Sequence, residues 1–341
     1  MSGSSSSANE PERPWYGEFL IAGLSAVGAI CFTNPIDVVK TRMTLQGQGA
    51  AAGAKNPYPN VASALMTIGR NEGLRGLQRG LPASCLWQFS NVSVRFGVYA
   101  TAKKQAGVSD AGPFRKWLAS LGLAGVSGGL AALASNPFFI LKTRYQSFGC
   151  AATVGEQHAL SGGLSSAAAD IYRSDGPAGF FRGLSAFAPR VIVASAVQLS
   201  TYDLVKDALM RHAGLRDGET FAGRLPLVVA SSFVTGIAVV AAMQPFDFAA
   251  TRLVNSRTAA EHAAIQCVAG GPAAASPAFS GPLDVIQQTV RAEGLSGVYR
   301  GSIANYLRFG PYCVLVFVFV EQGRRLEAAL LRARAPSRDA Q

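Results

Sequence analysis

The 341-residue chain is 49% hydrophobic and only 15% charged, with a formal net charge of +11. So little charge argues against a water-soluble protein, in which about a quarter of residues are charged, and the positive excess fits anionic lipid and anionic substrates. It does not read as nucleic-acid binding, because no basic and aromatic residues interleave into a stacking surface.

The first 14 residues, Ser-rich and mixed in charge, lack an apolar signal core and read as a disordered tail. A first membrane span follows near 16–46; from Trp15 to Phe32 it carries only Glu18. That length approaches the roughly 20 residues needed to cross a bilayer as a helix. In lipid the backbone must satisfy itself, which permits a helix or a closed barrel, and a run this long and this apolar favours a helix. It runs into Pro35-Ile36-Asp37-Val38-Val39-Lys40-Thr41-Arg42. A surface helix is expected near 60–70, followed by Glu72-Gly73, Gln78-Arg79-Gly80 and a second span near 82–104.

The same order then returns twice. A span near 114–147 ends in Pro137-Phe138-Phe139-Ile140-Leu141-Lys142-Thr143-Arg144. A surface helix near 162–174 leads to Asp175-Gly176, Phe181-Arg182-Gly183 and a span near 185–208. The fifth span, near 222–254, is uncharged from Leu225 to Gln244 and ends in Pro245-Phe246-Asp247-Phe248-Ala249-Ala250-Thr251-Arg252. After a Gly/Ala-rich insertion at about 257–281 come a surface helix near 281–292, Glu293-Gly294, Tyr299-Arg300-Gly301 and a span near 303–326. The motif prolines stand 102 and 108 residues apart. The chain therefore divides into tandem repeats at 15–107, 108–213 and 214–327, with a tail at 328–341. Two spans per repeat return the chain to its starting side, so all three repeats share one orientation around an axis along the membrane normal.

Ionisable residues deep in a span are functional suspects. Arg190 and Arg308 each stand seven residues beyond the glycine of their basic-Gly pair; the equivalent position in the first repeat is Trp87, followed by Gln88. Arg95 lies eight residues further on, about two turns deeper on the same face. Arginines converging on a cavity suit a small dianion held by bidentate carboxylate contacts. The five cysteines are scattered without CxxC spacing, and the three histidines sit in polar or small-residue stretches. No metal site, nucleophile–base set or nucleotide loop is present, so neither a cofactor nor an enzyme is expected.

The threefold pattern, proline to paired basic residues and then acidic-Gly and basic-Gly, resembles the mitochondrial carrier family (solute carrier family 25). The resemblance covers Trp15 to Glu327. It implies an all-α membrane protein of six transmembrane helices in three tandem two-helix repeats, with pseudo-threefold symmetry and short matrix surface helices. It implies helix kinks at Pro35, Pro137 and Pro245, and a matrix gate pairing Asp37 with Lys142 and Asp247 with Lys40. Gln146 would brace that gate. The third pair is replaced by Phe139 and Ala250, which the implied ring assigns to each other. A cytoplasmic gate would pair Asp203 with Arg324 and Glu321 with Lys103. Substrate contacts would be Arg190, Arg308, Arg95, Gln88 and Trp87. Gly73, Arg79, Gly176, Arg182, Gly294 and Arg300 would border cardiolipin sites, helix N-termini being good phosphate binders.

Leu86-Trp87-Gln88-Phe89 and Pro189-Arg190-Val191-Ile192-Val193 are similar to the oxaloacetate-carrier branch, which includes orphan members 34 and 35. That implies a mitochondrial inner-membrane transporter of oxaloacetate or related dicarboxylates, working by alternating access, functional as a monomer and with both termini on the intermembrane-space side. Two alternatives stay open: an uncoupling-type or inorganic-anion carrier, and a non-transporting scaffold on the same fold.

Overall fold

The computed structural model describes residues 17–46, 48, 57–105, 113–149, 163–194, 197, 221–256 and 279–334. Helix α1 is Gly17–Leu45, α2 Val61–Leu77, α3 Leu81–Gln105, α4 Pro113–Ser147 and α5 Leu164–Asp175. A 3-10 turn, Pro177–Phe181, leads into α6 at 184–194. Then come α7 Phe221–Asn255, α8 Pro282–Glu293, a single turn α9 Leu295–Val298, and α10 Ser302–Arg334. The described residues are helices and their connections, with no strand among them.

Four helical stretches are long and apolar enough to cross a membrane: Phe19–Leu45, Gly122–Ser147, Val234–Asn255 and Leu295–Glu327, the last running from α9 into α10. Their outward faces carry large apolar side chains such as Leu24, Phe32, Val126, Ile237 and Val314. Ion pairs and amides are buried instead, as expected when the surrounding solvent is hydrocarbon. The C-terminal helix runs on to Arg334, so the segment expected as a tail from residue 328 begins as helix. The N-terminal tail and nearly all of the insertion lie outside the described residues.

The helices close a ring. α1 packs on both α3 and α10, α3 packs on α4, α10 on α7, and α4 meets α7. α6 lies on α4, with Val191 against Gly128. The three basic-Gly turns build the joints. Gly80, Gly183 and Gly301 have φ of 72, 79 and 84°, a left-handed conformation that side chains resist. Each also abuts the next repeat: Gly80 lies against Tyr145 and Gln146, Gly183 against Val254, and Gly301 against Thr44. A β-carbon there would meet the neighbouring helix, so only glycine fits.

All three motif prolines lie inside continuous helices. Proline has no N–H for the carbonyl four residues back. For Pro35 that carbonyl is Cys31 O, and it accepts a hydrogen bond from Gln78 Nε2 at 3.2 Å. Residues preceding the prolines tie each helix to its own basic-Gly turn. Asn34 Nδ2 donates to Gln78 Oε1 at 3.1 Å, Asn136 Nδ2 to Phe180 O at 2.7 Å, and Gln244 Nε2 to Arg300 O at 3.3 Å.

Candidate functional site: a buried charge layer on the axis

The C-terminal halves of α1, α4 and α7, beyond their prolines, bring the charged motif residues into one buried layer. Lys142 Nζ lies 2.5 Å from Asp37 Oδ2, and Lys40 Nζ lies 2.5 Å from Asp247 Oδ2. These pairs link α4 to α1 and α1 to α7. All four side chains are under a tenth exposed. Buried charges this close must be paired, because an orphan would cost several kcal/mol, on the order of 3–5.

Gln146 sits beside the first pair. Its Nε2 lies 3.3 Å from Asp37 Oδ2, 3.2 Å from Asn34 Oδ1 and 3.3 Å from Ser84 Oγ, and its Oε1 accepts from Thr41 Oγ1 at 2.9 Å. One amide therefore joins α4, α1 and α3. The matching positions differ: Thr44 Oγ1 donates to Lys40 O of its own helix, and Val254 lies in the apolar core.

Where the third ion pair is missing, the packing is apolar. Phe139 and Ala250 belong to one buried cluster with Trp87, Phe187, Phe248 and Leu253. The Phe139 ring lies 5.7 Å from that of Trp87 and 5.1 Å from that of Phe187. Trp87 also faces the charge layer, since Lys142 Nζ stands 4.0 Å from its ring centroid.

The two deep arginines reach into the same layer. Arg190 Nε is 2.9 Å from Asp247 Oδ1, and Arg308 Nε is 3.3 Å from Asp37 Oδ1. Neither contact is an aligned hydrogen bond; both are ion pairs. Each aspartate is thus shared between a lysine and an arginine of different helices. Arg308 also approaches the Tyr312 ring at 5.9 Å. Arg95 is half-buried on α3, and Gln88 is buried beside Trp87 in sequence. Four cations therefore share two carboxylates.

A second ring of contacts lies beyond this layer. Arg42 makes a bidentate pair with Glu72 at 2.6 and 2.8 Å and donates to Gln146 O and Phe148 O at 3.1 and 2.8 Å. Arg252 pairs with Glu293 at 3.2 Å and donates to Thr44 O and Gln46 O at 3.2 and 2.7 Å. Arg144 stands 3.9 Å from Asp175. The basic-Gly arginines join in: Arg79 and Arg300 pair with Glu72 and Glu293 at 3.4 and 2.7 Å, and Arg182 donates to Ser256 Oγ at 3.1 Å. Arg79, Arg182 and Arg300, expected to border lipid sites, also fasten each repeat to its neighbour: Arg79 donates to Phe148 O and Arg300 to Gln46 O, each at 3.4 Å, and Arg182 reaches Ser256. Gly73, Gly176 and Gly294 end their surface helices at positive φ.

The cytoplasmic set is only partly visible. Asp203 lies outside the described residues. Lys103 and Glu321 fall on α3 and α10, and Arg324 is exposed near the end of α10.

Sequence reasoning missed Gln78 and the arginine–acid ring. Gln78 hid inside a motif match. The ring was signalled by an acid and an arginine recurring in every repeat.

The family described as "Mitochondrial carrier protein" matches residues 11–108, 114–213 and 224–328. The chain is 36% identical over 312 residues to Solute carrier family 25 member 35 of Homo sapiens, covering 91% of this chain and 98% of that protein. It is 31% identical over 318 residues to the Mitochondrial oxaloacetate transport protein of Saccharomyces cerevisiae, covering 91% and 90%. It is 32% identical over 324 residues to the Mitochondrial citrate transporter E of Aspergillus niger, covering 92% and 96%.

Proposed function

The chain belongs to the mitochondrial carrier protein family and is a membrane transporter; on that premise we propose that it carries a small dicarboxylate, oxaloacetate or a close relative, across the mitochondrial inner membrane. The observation that carries this reading is that Arg190 and Arg308 each already hold a carboxylate, Asp247 at 2.9 Å and Asp37 at 3.3 Å. The gate aspartates stand where the two carboxylates of a substrate would stand. Guanidinium groups suit carboxylate by shape and charge.

The surplus of positive charge gives the direction. With four cations on two carboxylates, an entering dianion relieves repulsion in a buried site, where charge interactions are strong. A substrate carboxylate that takes over Arg308 removes one of the two cations holding Asp37. The same exchange at Arg190 loosens Asp247. Binding therefore weakens the ion pairs that close this end, which couples substrate to opening. A ligand shifts such an equilibrium only by its differential affinity for the two states. Here the difference comes from arginines that are occupied when the gate is closed.

The names of the yeast oxaloacetate and fungal citrate transporters support a small carboxylate as cargo. The test is exchange of labelled malate or oxaloacetate by purified protein in liposomes. Arg190→Ala and Arg308→Ala each reduce uptake to background. Undiminished uptake in both variants overturns the assignment.

A further inference from the structure

Cys31 on α1 and Cys85 on α3 stand against each other, with their thiols in hydrogen-bonding contact. The register of the two helices puts them there. α1 and α3 run antiparallel, with Phe19 against Gly97 and Gly23 against Ser93. Eight residues on from Gly23 is Cys31, and eight residues back from Ser93 is Cys85. The helices pack closely along this line. Ser93 Oγ donates to Phe19 O at 2.9 Å, and a β-carbon at Gly23 would collide with Ser93 and Phe89. Beyond the cysteines, Asn34 Nδ2 reaches Leu77 O at 3.4 Å, and Gln78 Nε2 holds Cys31 O itself at 3.2 Å. Both thiols are free. Cys31 is exposed on the outward face that carries Leu24 and Phe32, and Cys85 is half-buried behind it. Neither belongs to the charge layer.

We propose that Cys31 and Cys85 are a redox-modification site, a thiol pair that hydrogen peroxide converts to a disulfide, and that the bridge slows transport by tying α1 to α3 beside the Pro35 kink. Peroxide is small and uncharged, so it reaches a thiol on a lipid-facing helix. The exposed Cys31 sulfur attacks the O–O bond, which breaks; the sulfur keeps one oxygen as a sulfenic acid and the other leaves as water. The Cys85 sulfur then attacks the Cys31 sulfur, the S–O bond breaks, and a second water leaves. Two thiols and one peroxide thus give one disulfide and two waters. The sulfurs lose two electrons, the peroxide gains them, and the thiol protons depart in the waters. Thiols already in contact on close-packed helices have the approach that a disulfide requires.

The consequence for transport follows from where the pair lies. Cys31 stands about one turn before Pro35. Asp37 and Lys40, which pair with Lys142 and Asp247, lie just beyond it. In the reduced protein hydrogen bonds tie the kink to the start of α3: Gln78 to Cys31 O, and Asn34 to Gln78 and Leu77 O. Such bonds exchange partners when helices move. A covalent link at the same level does not, so the oxidised repeat carries its gate charges apart less readily.

The experiment treats purified protein in liposomes with hydrogen peroxide, quenches it with catalase and divides the sample. One part is alkylated, digested and read by mass spectrometry. The other is assayed for labelled malate uptake before and after dithiothreitol. In wild type the Cys31 and Cys85 peptides are joined, uptake falls several-fold, and dithiothreitol restores it. Cys31→Ser and Cys85→Ser show neither the link nor the loss, and their untreated uptake stays near that of wild type. Melting curves verify that both fold, and Cys31→Ala and Cys85→Ala replace a serine variant that does not. Cys313→Ser remains sensitive to peroxide. The inference is overturned if no Cys31–Cys85 link forms, if the link forms without loss of uptake, or if a folded variant lacking Cys31 or Cys85 loses uptake as wild type does. Failure of the dicarboxylate reading looks different: reduced wild type takes up no malate, and the link, which does not depend on cargo, then decides the site.

Discussion

Arg308 sets its Nε 3.3 Å from Oδ1 of Asp37, on a carboxylate whose other oxygen Lys142 holds at 2.5 Å. One buried acid thus pairs with both the lysine proposed for the gate and the arginine proposed for substrate. Removing Lys142 leaves Arg308 as the one cation paired with Asp37 among the described residues, and the arginine is then less available to the proposed cargo. Lys142→Ala is expected to cut uptake at least tenfold. Exchanging the charges in Asp37→Lys with Lys142→Asp recovers more uptake than either single variant shows. Initial rates in liposomes, normalised to reconstituted protein, measure this.

The apolar joint gives a complementary expectation. Phe139 and Ala250 occupy positions where the repeat pattern would otherwise set an acid and a base, and both are buried in one cluster. Phe139→Asp alone buries an unpaired carboxylate and lowers stability by about 3 kcal/mol or more. Adding Ala250→Lys restores much of it and creates a third gate pair. Melting temperatures of the two single variants and the double variant test this coupling, and simple additivity would deny that the residues face each other.

Gln78 is expected to matter only because Pro35 is present. Its Nε2 satisfies Cys31 O, the carbonyl that proline cannot serve. Gln78→Leu leaves that carbonyl and Asn34 short of partners, at about 1–3 kcal/mol. In a Pro35→Ala background the backbone serves Cys31 O itself, so the same change costs less. A double-mutant cycle on thermal stability reads the difference as a coupling energy.

Two sets of glycines with similar φ should respond differently. A β-carbon at Gly73, Gly176 or Gly294 meets nothing within 4 Å, whereas at Gly183 it would run into Val254. Gly73→Ala therefore costs about 1 kcal/mol of backbone strain. Gly183→Ala adds a steric clash between repeats, about 1–3 kcal/mol more. Melting curves of both variants in detergent measure the gap.

Much of this architecture was legible in the residues. The threefold recurrence of proline, basic and glycine motifs fixed the helix order, and each expected span and surface helix that falls in described residues coincides with a helix. The partners of Asp37 and Asp247 come from the family resemblance, since symmetry alone does not say which neighbouring repeat each acid meets. The sharing of those aspartates with Arg308 and Arg190 was not legible. It depends on the relative depth of α6, α7, α1 and α10, and no spacing within one repeat encodes that. Gln78 was obscured for a different reason: it occupies a motif position, while its role comes from a carbonyl 47 residues earlier. Likewise Arg79, Arg182 and Arg300 carry two candidate roles, toward lipid and toward neighbouring repeats, and their sequence signal is the same for both.

The central claim is that substrate carboxylates take the places that Asp37 and Asp247 hold on Arg308 and Arg190. Malate affinity of the purified protein, measured by calorimetry for wild type, Asp37→Asn and Asp37→Asn with Arg308→Ala, tests it most directly. Asn cannot compete for the guanidinium, so Asp37→Asn should bind malate several-fold more tightly while transporting it more slowly, and Arg308→Ala should abolish the gain. Unchanged or weaker binding in Asp37→Asn, or a gain that survives loss of Arg308, would contradict the account.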